Sequence, residues 1–450
     1  MYDVLIMGGL VVSGKAVTPA GIGIKDGKIA ALLAPESRPE AGEVIDASGR
    51  YVFPGAIDSH AHLNDPGFTW REDFEHGTAA AAAGGCTTVV DMPLQNEPAL
   101  TDGDIFERKL AAVSGKAHVD YAFWGGLVDS NLDQLAGLHE KGCVAFKSFI
   151  GPVSPDYVSL SYGEARQAME IIHSFGGRAG FHCEDFSIIR HGEMLNKRAG
   201  RNGWQDFLDS RPVSAELTAT QAVLDLAAET GCKVHICHVS HPKVAEAIAE
   251  AQRAGVDVTA ETCGHYLSFT KEDVLKRGAL FKCAPPLRSR EAAEELWTYV
   301  ESGVISSVGS DHSPCRADEK EGESVFDIWG GISGIQSTLQ VVYSEGVVKR
   351  GYSPTLLARA LSEGPAKTFG IYGQKGALQP GFDGDLVILD PDRVWEITAD
   401  SLHYLNRISA FVGMKGKGLP VLTLVRGRIV ARDGRVVGEK GYGQLVKRMG

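Results

Sequence analysis

Several side chains in this sequence are of the types that hold divalent cations and move protons. In Asp58-Ser59-His60-Ala61-His62 two imidazoles stand on alternate residues, so they share one face if the segment is a strand. Lys147 stands among Val144, Phe146, Phe149 and Ile150. An ammonium in such a surround is costly unless paired or neutralised. One reading is a buried ion pair. The other is a free amine that adds carbon dioxide, giving a carbamate, an anionic two-oxygen ligand able to bridge two cations. His182 and His238 follow further along, with His235, His241 and His265 as competitors. His238 closes its apolar run just before Ser240, whereas His235 comes early, so His238 is the better ligand. Asp311 could bind a metal and accept a proton. Each residue alone is compatible with a satisfied core polar group; their placement on the fold decides between the readings.

The elements that must position them alternate. Apolar, β-branched runs recur at 52–60, 86–93, 118–126, 143–150, 178–184, 233–240, 256–263 and 304–312. Helix-like stretches lie between them, among them 163–176, 215–231 and 243–255, each closing on glycine. Strand–helix alternation predicts parallel strands with helical crossovers, and this many units predict a (β/α)8 TIM-type barrel over 52–374. An open doubly wound sheet would be favoured by a glycine-rich phosphate fingerprint after the first strand, and none is present. The metal-ligand types fall at the carboxyl ends of the runs, where barrels carry their chemistry. That coincidence favours a metal centre, and imidazole with carboxylate suits Zn, Mn, Fe or Co. Residues 1–51 and 375–450 read instead as short strands with Asp26-Gly27 and Asp433-Gly434 turns. They predict one small β-sandwich-like domain assembled from both termini.

The chain has 450 residues, 44% apolar and 23% charged, as in an ordinary globular protein. Lys plus Arg number 45 against 57 Asp plus Glu, a net charge of −12 that disfavours nucleic acid and anionic membrane as partners. No apolar stretch reaches the length of about 18 residues that a membrane span needs. Asp3 stands where a secretory leader would be positive. The 8 cysteines include no C-x-x-C pair, so buried thiols in a reducing cytoplasm are expected.

Together PGAIDSHAHL, FKSF, HCED, ICHVS and SDHSP make the chain resemble the cyclic-amide-hydrolysing members of the amidohydrolase superfamily over essentially its whole length. The resemblance implies two divalent metals per chain, zinc first, with cobalt, manganese or iron as alternatives. It implies that His60 and His62 bind the buried metal, that carboxylated Lys147 bridges both, that His182 and His238 bind the second, and that Asp311 completes the first. Gly264 departs from the proline many relatives carry, and a changed loop turn is expected from it. A homotetramer is also implied.

Within that group, dihydroorotases typically carry arginine where this chain has Asn64, to hold a substrate carboxylate. An uncharged asparagine favours a neutral substrate. Dihydropyrimidinases and hydantoinases typically carry tyrosine where Pro152 stands. HLNDPG, DMPLQNEP, SDHSPC and WGGISGIQ together resemble allantoinases. The expectation is hydrolytic opening of the neutral hydantoin ring of allantoin. Backbone near Ala284 and Gly330, with Ser313, would read the ring amide, and Asn64 and Asn96 would meet the ureido arm. The metals would polarise the ring carbonyl and activate water, and Asp311 would carry the proton to the departing nitrogen. The non-enzymatic scaffold proteins of this fold usually lack part of the ligand set, which is complete here.

Overall fold

The computed structural model describes residues 1–153 and 157–449. Its centre is an eight-stranded parallel sheet in sequential order. The strands are Ala56–Ala61, Cys86–Asp91, Asp120–Gly126, Ala145–Ile150, Arg178–Cys183, Lys233–Ile236, Val258–Cys263 and Ser307–Gly309. The sheet rolls up: Ala61 bridges His312 just past the eighth strand, and His62 N–H donates to His312 O at 2.8 Å. Side chains of the central strands are buried on both faces, which is why they read as continuous apolar runs rather than alternating ones.

Crossover helices cover the outside, and local chemistry fixes their ends. Ser161 and Glu164 form a capping box on Tyr162–Ser174. Pro242 opens Pro242–Arg253 behind His241, whose ring accepts from Lys243 N–H. Gly231, at φ 70°, ends Val213–Thr230 in the left-handed region.

Two further sheets form the β layer. A four-stranded sheet comes wholly from the N-terminal segment. A seven-stranded sheet mixes the termini: Leu386–Glu396 pairs antiparallel with Tyr51–Pro54 and with Lys415–Val425. The expected division at 51/52 therefore falls inside a strand. Ile6, Ile22 and Ile24 of one sheet share a core with Val52, Ile388 and Leu424 of the other, so the layer is a sandwich. Both expected hairpin turns have positive φ at their central residues: Asp26 51° and Gly27 76°, Asp433 49° and Gly434 74°.

A buried charge cluster fastens this layer to the barrel. Lys375 Nζ lies 2.5 Å from Asp120, 2.7 Å from Asp385 and 2.9 Å from Asp383, and Arg426 also pairs with Asp120. Asp120 opens the third barrel strand, away from the strand ends that carry the metal-ligand types. Among the described residues no helix is long and apolar enough to cross a membrane.

Candidate active site

The strand ends converge on the floor of a cavity of about 690 Å³, lined there by His60, His62, Lys147, His182, His238 and Asp311. His60 belongs to the first strand, Lys147 to the fourth and His182 to the fifth. His238 and Asp311 lie just past the sixth and eighth strands, at φ 39° and 43°. Non-glycine residues in that left-handed region cost on the order of 1–3 kcal/mol each, a cost typical of sites where side-chain direction matters.

Hydrogen bonds fix which ring nitrogens are free. His60 Nδ1 lies 2.5 Å from Glu261 Oε1, and Glu261 also accepts from Ser59 Oγ at 2.6 Å. Burial opposes the charge of Glu261, but His60 and His235 hold its carboxyl well below the usual range. It therefore accepts the His60 Nδ1 proton, leaving a lone pair on Nε2. That lone pair faces Asp311 Oδ1 at 3.3 Å, and His62 Nε2 lies 3.5 Å from the same oxygen. His182 repeats the pattern. Its Nε2 lies 2.9 Å from Glu184, which Arg211 helps hold ionised, and its Nδ1 faces His238 Nε2 at 3.0 Å. Burial pushes the pKa of His60, His182 and His238 down, so all three rings are neutral and able to act as ligands.

Lys147 Nζ is fully buried and has no hydrogen-bond partner among the described residues. Phe149 presents its ring at 4.9 Å, and Tyr157 OH donates to the Lys147 carbonyl at 2.6 Å, pinning its backbone. Among the described residues, Lys147 forms no ion pair.

The fit to a metal follows from these contacts. A lone pair of His60 and an oxygen of Asp311 face each other with no proton between them, an arrangement that a cation between them would satisfy. The nitrogen and oxygen atoms of His60, His62 and Asp311 lie within 4.8 Å of one another. The His182–His238 pair shares either a proton or a cation. An anion at Lys147 would complete both groups.

Not every sequence-based expectation is met. Asn64 is fully buried, adopts φ 55° and donates to the His62 carbonyl at 3.1 Å; it does not line the cavity. Asn96 donates to Met92 and Leu94 carbonyls and accepts from Lys109 Nζ, so it too holds a loop. Gln95 lines the cavity instead, with a buried Oε1 that has no partner among the described residues. Ala284, Ser313 and Gly330 do line the wall. His235 points inward, 3.5 Å from Glu261, and His241 caps a helix. His265 is buried outside the lining. A Cβ at Gly264 would meet nothing within 4 Å.

Sequence reasoning missed Glu184 and Glu261, which orient the ligand rings. Glu184 stands two residues beyond His182, a spacing that could have flagged it. Glu261 comes from a distant strand and left no local signal. Arg71, Arg211 and Lys282 on the cavity wall were also missed.

A family model described as "Amidohydrolase family" matches residues 51–430. The chain belongs to the amidohydrolase family. The family implies a divalent metal centre and a hydrolase acting on amide bonds. An allantoinase of Rubrobacter xylanophilus is 43% identical over 440 residues, covering 97% of this chain and 96% of that protein. An allantoinase of Deinococcus radiodurans is 39% identical over 437 residues, covering 97% of each. Among solved amidohydrolase structures, "L-Hydantoinase (Dihydropyrimidinase) from Arthrobacter aurescens" superposes with a TM-score of 0.97 at 38% identity, over 100% of both chains.

Proposed function

We propose that this amidohydrolase opens the hydantoin ring of allantoin to allantoate. The single observation that carries the reading is a substrate wall whose arginines are already paired with carboxylates, above a floor of metal-ligand side chains. Of the cations on the wall, Arg71 pairs with Glu319 at 2.6 Å and Arg211 with Glu184 at 2.5 Å, while Lys282 Nζ is committed to the Ile328 carbonyl. Position 64 contributes no charge, so a substrate carboxylate would find no free partner there. The similarity to allantoinases at 43% and 39% identity supports the same substrate.

Two divalent ions fit the floor, zinc first by resemblance. His60, His62 and Asp311 would hold one, His182 and His238 the other, with Lys147 as its carbamate joining them. When bound, the ions supply Lewis acidity and an activated water.

The chain supplies the rest. A cation held between Asp311 and the rings of His60 and His62 would favour its carboxylate form. Asp311 is thus an anion at neutral pH, 13% exposed and facing the cavity. It takes a proton from the attacking water as the carbon–oxygen bond forms. It returns that proton to the ring nitrogen as the carbon–nitrogen bond breaks, since an amide anion leaves poorly. Gly330 and Ala284 backbone and Ser313 would orient the ring, and Gln95 replaces the asparagines as the side-chain amide able to meet the ureido arm.

A second reading, hydrolysis of apolar 5-substituted hydantoins, draws on Leu94, Phe149 and Val153 in the wall. Turnover of allantoin, an apolar 5-substituted hydantoin, dihydrouracil and dihydroorotate by one metal-loaded preparation separates these readings. Allantoin should give the highest kcat/KM. A preference for dihydroorotate would contradict the neutral-substrate argument.

A further inference from the structure

The loop Ile328–Gly331 borders the cavity, and its backbone groups can be accounted for one by one. Trp329 N–H donates to Glu319 O at 2.9 Å, and Gly331 N–H to Lys282 O at 2.8 Å. Lys320 Nζ donates to Trp329 O at 3.1 Å and to Gly331 O at 2.7 Å. Lys282 Nζ donates to Ile328 O. Among the described residues, Gly330 N–H and Gly330 C=O make no hydrogen bond within the protein, and Gly330 is exposed to the cavity. A Cβ at Gly331 would approach Ser313 Oγ to 2.5 Å, so the loop lies directly on the segment that follows Asp311.

Both lysines are unusual. Lys282 is 6% exposed and Lys320 is half-buried, and among the described residues neither has a carboxylate within salt-bridge distance. An ammonium withdrawn from water onto neutral carbonyls is expensive, and apolar side chains would pack a plain surface loop at lower cost. The carbonyls they select are informative. Trp329 O belongs to the same peptide unit as Gly330 N–H, so the hydrogen bond that Lys320 donates to that oxygen makes the N–H a stronger donor. Gly330 O shares its peptide unit with Gly331 N–H, whose bond to Lys282 O strengthens the acceptor in the same way.

We propose that Lys282 and Lys320 form a two-lysine clamp that holds and polarises Gly330 as the reader of the substrate's cis amide. A ring amide offers C=O and N–H side by side, the complement of the two free groups of Gly330. Both lysines are positioning residues, since they act through the loop. The clamp rests on the cyclic-amide reading of the site.

The test compares Lys282→Met, Lys320→Met and Lys320→Arg with the wild-type holoenzyme, using whichever of the four cyclic amides above it turns over fastest. A wrong substrate assignment then shows in the wild-type values, and a wrong clamp in the variants. Losing binding shared by ground and transition states raises KM with little change in kcat. Each Met variant should show KM raised about tenfold or more, kcat within about threefold and unchanged metal content. Lys320→Arg keeps donors for both carbonyls and should restore most of the affinity. Hydrogen exchange of the peptide spanning 326–334 gives a readout independent of turnover, and it should quicken in both Met variants. Unchanged KM and unchanged exchange in the Met variants would overturn the clamp, as would a loss confined to kcat that tracks lost metal.

Discussion

At the residue scale, the site turns on which acceptor atoms are left facing each other. Glu261 and Glu184 each accept a hydrogen bond from one ligand imidazole, and the opposite nitrogen is thereby turned toward a cation position. The ligand types were legible because histidine, and lysine within an apolar run, are uncommon at strand ends. Their orienting carboxylates were not, because Glu is common and Glu261 reaches His60 only once the barrel has closed. Asn64 misled for a related reason. Its spacing after His62 suggested a substrate contact, but its left-handed backbone turns the side chain onto its own loop. Asp311 gives the prediction at this scale. Asp311→Asn keeps a metal-binding oxygen but no proton acceptor, so kcat should fall by about 10²–10⁴ with metal retained. Turnover and metal content measured on one preparation check this, and near-native kcat would remove Asp311 from the proton path.

At the element scale, the barrel strands and their crossover helices were legible from periodicity, since buried parallel strands and capped helices write themselves locally. The loops above them were not, because long-range bonds set their shape. The second strand illustrates this. Asp91 at its end accepts from Leu63 N–H at 2.9 Å and pairs with Lys109 at 2.6 Å, both side chains buried. Lys109 also reaches Asn96 Oδ1 and the Asp65 carbonyl. One ammonium thus ties the loop after His62 to the loop carrying Gln95. Removing one partner of a buried pair leaves an uncompensated charge, so Lys109→Met should lose about 3–5 kcal/mol. Urea unfolding measures this, and a midpoint equal to wild type would show the tie to be dispensable.

At the scale of the whole molecule, stability should carry a pH signature from buried acid groups. Glu72 is fully buried, accepts from Leu405 N–H at 3.1 Å and lies 3.4 Å from His312. Burial raises its pKa from 4.5 to about 8. A carboxyl raised in the folded state binds its proton more tightly there than in the unfolded chain. Its contribution is therefore full below pH 4.5 and declines as pH rises to about 8. Melting temperature should fall across that window in wild type and vary less in Glu72→Gln. Equal slopes in the two proteins would show that Glu72 titrates normally. The mixing of both termini in one sandwich was foreseen from composition and turn signals. The Lys375 cluster that fastens it to the barrel was not, since Asp120, Asp383 and Asp385 meet only in three dimensions.

Lys147, buried and without a hydrogen-bond partner among the described residues, is assigned the role of an anion between two cations. Wild-type enzyme and Lys147→Ala, both prepared with zinc and ¹³C-bicarbonate, test it directly by metal analysis and carbon NMR on the same samples. About two ions per chain and a carbamate resonance are expected in wild type. Both should be absent from Lys147→Ala, with partial activity returning when a short carboxylic acid is added with metal. A Lys147→Ala protein that keeps two ions and full turnover, or a wild-type enzyme with a free amine at Lys147, would contradict it.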